Sequence, residues 1–174
     1  MQFSNIDSGD GDEVYGSLHS SAPINMQMNG NSVEQEKYYE LSCYTLARGD
    51  PQFIHQHVVD AFMAQTADQN TKSIGITFAL IGLYLHLEKN YTGRQVQLAH
   101  MALASRRKEW PKFKLPKARG EIGVADVLDQ PAGEKRDAMI HTWSASVWQA
   151  YAESHTQVRN LFAEVLGDSW FPKS

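Results

Sequence analysis

One cysteine, Cys43, is all the sequence offers among its 174 residues. That excludes an internal disulfide framework, CxxC redox chemistry and any multi-cysteine zinc site. Long hydrophobic runs are also missing. The richest stretch, Ile74 to Leu87, spans only 14 residues and contains His86, too short and too polar for a membrane span. The opening MQFSNIDSGDGDEVYG lacks the basic start and apolar run of a secretory signal, so a cytoplasmic protein with no membrane association is expected. GxSxG, Walker A, GxGxxG, EF-hand and HExxH patterns are all missing. The readings that depend on them lose their support. Charge of one sign is scarce as well, with a formal net charge of -4.

What is present is helical periodicity. The first thirty-odd residues are rich in Gly and Ser without apolar rhythm, which predicts a disordered N-terminal tail over 1–34. Ile24, Met26 and Met28 alternate with polar residues and offer a short docking segment as the other reading. Residues 35–174 read as one all-α domain, a compact helical bundle of five or six helices. Tyr38, Leu41, Thr45 and Leu46 mark the first helix, ended by Gly49. Asp50 and Pro51 predict an N-cap and first turn for a second helix running to about Ala67. The third, about Ser73 to Lys89, is apolar nearly all round and should be central, with Gly75 and Gly82 serving close packing or clearing room for a ligand. Thr92 and Gln95 form a capping box for a fourth helix through Arg107. A proline- and glycine-broken segment follows, with a short turn of helix at Val124 to Leu128. A long helix over about Glu134 to Ser154 and a last one ending near Gly167 complete the pattern.

Five of the seven histidines fall within these helices: His55, His57, His86, His100 and His141. At 1.5 Å per residue, His57 lies roughly 14 Å above the turn joining the second and third helices, and His86 roughly 20 Å above it. His100, on the descending fourth helix, returns to roughly 14 Å, so His57 and His100 can share a layer. Asp60, three residues after His57, faces the same way. His57, Asp60 and His100 are therefore the candidate ligands for Zn2+ or another divalent metal, with an open position for water. In that reading His86 tunes the site, Arg94 neutralises developing charge, and a small-molecule substrate is hydrolysed. On position alone, pairing of Arg94 with Glu88 or Asp60 is favoured over anion binding. Cys43 is a neighbour of the site or, with a histidine, a nucleophile. The alternative is a non-enzymatic binding or scaffold protein whose buried histidines form a structural network.

Arg106, Arg107, Lys108, Lys112, Lys114, Lys117 and Arg119 gather 7 of the 16 basic residues around Trp110 and Phe113. Such a patch fits weak nucleic-acid binding, but the acidic chain and the short patch favour a solvated connection with its aromatics turned inward. Trp143, Trp148 and Tyr151 sit at the spacing of core anchors. A homodimer through a partly apolar face is a further expectation.

The blocks YYELSCYTLARGDPQFIHQHVVDAF, FALIGLYLHLEKNYTGRQVQLAHMALA, WPKFKLP and VADVLDQPAGEKRDAMIHTWSASVWQAYAE occur in this order. Over Tyr38 to Glu153 the chain resembles an uncharacterised bacterial family of small helical proteins. The resemblance implies signature blocks containing Asp50, His55, His57, Asp60, His86, Arg94, Gln97 and His100, with no activity to carry over.

Overall fold

The computed structural model describes residues 30–172, with side chains from Val33. The alternation at Ile24, Met26 and Met28 lies outside the described residues. Helix α1 (Gly30–Ala47) begins inside the region expected to be tail. It is followed by α2 (His55–Thr66), α3 (Ser73–Lys89), α4 (Gly93–Arg106), the short α5 (Val124–Leu128), α6 (Glu134–Ala150), a 3-10 turn (Ala152–Ser154) and α7 (His155–Leu166). The described residues thus form an all-α bundle of seven α-helices, the expected helices together with the expected short turn at Val124–Leu128, and contain no strand. None of these helices is long and apolar enough to cross a membrane.

The apolar belt of α3 explains its position, because a helix without a polar face has to be covered on every side. It packs against α2, α4, α6 and α7. Ile76, Leu80, Ile81, Leu83 and Leu85 are buried. Trp143, Trp148 and Tyr151 act as anchors, each with its polar atom satisfied. Trp143 Nε1 donates to Gln65 Oε1 at 2.8 Å, Trp148 Nε1 to Glu88 at 3.0 Å, and the Tyr151 hydroxyl to the Ala64 carbonyl at 2.8 Å.

The boundary of α2 departs from expectation. Asp50 does accept backbone N–H bonds, from Gln52 and Ile54 at 3.0 Å each, but it closes a separate turn. Phe53 then takes a left-handed conformation, φ 58°, which interrupts the helix until His55. That turn presses the Phe53 carbonyl against Gly93, where a Cβ would come within 1.8 Å of the oxygen. The start of α4 is therefore tied to the start of α2, and Arg94 N–H donates to the Gln52 carbonyl at 3.0 Å.

The expected capping box of α4 is present: Thr92 N–H donates to Gln95 Oε1 at 2.8 Å, and Gln95 N–H to Thr92 Oγ1 at 3.3 Å. Thr92→Ala removes one of these bonds and is expected to cost about 1 kcal/mol in urea unfolding. A change of only a few tenths would show that the α2 contact alone holds this end of α4.

The basic segment between α4 and α5 turns its aromatics inward. Phe113 is buried, and Trp110 packs edge-on to Phe78 at 5.0 Å between ring centres. Arg107 pairs with Glu164 and Lys114 with Glu153, while Arg106 donates to the Val165 carbonyl.

Candidate functional site

The N-terminal turn of α2, the C-terminal end of α3 and the first turns of α6 meet around a cleft of about 430 Å³. Helix packing dictates who faces whom there. The antiparallel pair α2 and α3 places Asp60 against Gly82 and, one turn further, His57 against His86. The two imidazoles are stacked, with ring centres 3.6 Å apart and planes 22° from parallel. From α6, His141 meets the edge of the pair, its Nδ1 3.2 Å from His86 Nε2. Asp137, one turn before His141, lines the same cleft, where Arg48 at the end of α1 forms an ion pair with it.

Burial sets the charge of the stacked pair. His57 is 5% exposed, and its Nδ1 has no hydrogen-bond partner. Desolvation, reinforced by the His86 and His141 rings, holds the His57 pKa down to about 3. For His86, desolvation and then the His141 ring lower it to about 4, against a backbone contact with Tyr91. Both are therefore neutral imidazoles near pH 7, and each ring offers one donor and one acceptor.

The structure separates the residues expected to bind metal. His100 stacks on Phe78 at 4.7 Å, eight residues before His86 and thus about 12 Å lower along α3. Burial brings its pKa to about 4, and its Nε2 is unpartnered. Asp60 is 3% exposed and turns its carboxyl to Gln56, whose Nε2 donates to Oδ1 at 3.0 Å, and to the bare face of Gly82. Burial pushes the Asp60 pKa well above the usual carboxylate range, which favours the protonated acid. A metal needs lone pairs that converge, and those of stacked imidazoles lie in nearly parallel planes. Among the described residues no group of three His, Cys, Asp or Glu side chains is placed to hold a metal ion. The expectation of Zn2+ or another divalent ion on His57, Asp60 and His100, and of hydrolysis by its bound water, is corrected accordingly.

Other expectations also change. Arg94 is exposed and bonds Gln97 at 3.2 Å, one turn along its own helix; it pairs with neither Glu88 nor Asp60. Glu88 is held instead by Arg159 and Trp148. Cys43 is exposed on α1 and is not among the residues that line the cleft. His55, two residues from His57 and so on another face, stands apart from the group, its Nδ1 2.8 Å from Thr45 Oγ1 of α1. His86, expected beside the site, is at its centre. His141 and Asp137 were not singled out by the sequence, although their four-residue spacing already put them on one helical face.

Residues 35–152 match a family described as Family of unknown function (DUF5946), a span close to the Tyr38–Glu153 region of the resemblance. No curated protein and no solved structure matches the chain. With well over half its length covered by that match, the chain belongs to the DUF5946 family of unknown function.

Proposed function

We propose that this is a cytoplasmic, non-enzymatic binding protein: a helical scaffold whose stacked histidines form the wall of a cleft for a small polar molecule. The observation that carries the reading is His57, almost fully buried in that wall with an unpartnered Nδ1. A buried polar atom without a partner costs about 1–3 kcal/mol, and a bound molecule supplying that partner recovers it. The cleft volume suits a small ligand. Gln52, Asn90 and Thr92 add polar groups beside the rings. The cytoplasmic placement is supported by the lone cysteine, which leaves no internal disulfide to call for an oxidising compartment.

The test is ring-nitrogen NMR of the histidine-labelled protein, titrated separately with n-butylammonium, n-butylguanidinium, butyrate, inorganic phosphate and uridine. At least one probe is expected to move the His57 and His86 signals saturably, and His57→Phe to abolish that response. Unmoved rings with every probe would remove the binding reading and leave the histidines as packing alone.

A further inference from the structure

Resting on that binding reading, we propose that the cleft takes a small organic cation, an alkylammonium or guanidinium group, held by Asp50 and Asp137. The charges that line it are Asp50, Asp137 and Arg48, a formal excess of one negative charge. Arg48 already sits on Asp137, so a guanidinium-sized cation fits that carboxylate. Both Asp50 oxygens accept one backbone bond each, and a carboxylate oxygen has a further lone pair to give. The C-terminal ends of two helices, α1 at Ala47 and α3 at Lys89, adjoin the cleft through Arg48 and Asn90. Helix C-termini carry partial negative charge and favour cations.

An anion would find little there. The N–H groups at the start of α2 that could receive it are already engaged: Gln52 and Ile54 by the Asp50 carboxylate, Gln56 and His57 by the Phe53 and Ile54 carbonyls. His57, a residue of the same cleft wall, is buried with an unpartnered Nδ1, and a neutral imidazole accepts a proton-bearing nitrogen.

Two substitutions break the same ion pair and have opposite consequences. Asp137→Asn removes a carboxylate from the ligand and should weaken n-butylammonium binding about fivefold. Arg48→Gln frees that carboxylate and should strengthen it by about the same factor. Both variants lose the same partly exposed pair, so a shared effect on folding cannot produce opposite signs. Isothermal titration at constant ionic strength reads the difference. Weaker n-butylammonium binding in Arg48→Gln, or equal binding in both variants, would overturn the cation assignment. Saturable binding of butyrate, phosphate or uridine with none of either cation would also overturn it, while leaving the cleft a binding site.

Discussion

Gly82→Ala is expected to destabilise the protein by about 3 kcal/mol, although alanine is the better helix former. A Cβ at that position would lie 2.0 Å from Asp60 Oδ2 and 2.4 Å from its Cγ. The carboxyl has nowhere to retreat, being enclosed on α2 and hydrogen-bonded to Gln56. The gain in helix propensity, about 1 kcal/mol, works in the opposite direction and is outweighed by overpacking. Asp60→Ala in the same chain removes the obstacle and should recover at least half of the loss, whereas Asp60→Asn, of the same size, should recover none. Residues in direct contact couple by about 0.5–3 kcal/mol in such cycles. Strict additivity in urea unfolding would mean that Gly82 is required for some reason other than the Asp60 carboxyl.

Acidification should begin to destabilise the protein well above the pH at which ordinary carboxylates titrate. In the native state the pKa of His57 is about 3 and those of His86 and His100 about 4, against 6.5 for the free side chain. Below pH 6.5 the unfolded chain therefore binds protons on these histidines that the native chain refuses. Stability is fully present above 6.5 and lost as pH falls toward 4. Asp60 acts with the opposite sign, since its raised pKa lets the native state keep a proton that the unfolded carboxyl gives up above 3.8. The three histidines, offset in part by that carboxyl, leave an excess of protons on the unfolded chain, a slope of roughly 3 kcal/mol per pH unit around pH 5. Between about pH 6 and 4 this removes about 6 kcal/mol, comparable with the lower end of total stabilities of about 5–15 kcal/mol. Urea unfolding at pH 7.5, 6.5, 5.5 and 4.5 measures it, and His100→Phe should reduce the slope by about half. A flat profile would mean that the rings are charged in the folded protein.

Much of the fold is written in short-range signals. The Thr92–Gln95 capping box, the all-round apolarity of α3 and the Trp143–Tyr151 spacing each act within one or two helical turns, and each appears in the structure as expected. Phe53 did not announce its left-handed backbone, because aromatic residues rarely adopt it; the tie between Gly93 and the Phe53 carbonyl imposes it from a distance.

The site failed to be legible for a geometric reason. Placing His57 level with His100 assumes that α2 ends and α3 begins at the same height. The observed pairs, Asp60 with Gly82 and His57 with His86, put the start of α3 about one turn below the end of α2, and residues 67–72 bridge that step. One turn is enough to exchange His100 for His86 as the partner of His57. His141 was hidden differently. It comes from a helix more than fifty residues away, and only the packing of α6 on α2 and α3 decides that its Asp137 face closes the cleft.

The central claim is that His57 and His86 stand neutral and stacked in the wall of the cleft. Ring-nitrogen NMR of the folded protein between pH 7.5 and 5 tests it most directly, with His57→Gln and His86→Gln assigning the signals. Both rings are expected to keep the shifts of a neutral tautomer throughout, their pKa values lying near 3 and 4. Titration of either ring near 6.5 in the folded state would contradict the account, since it would place that imidazole in water rather than in the wall.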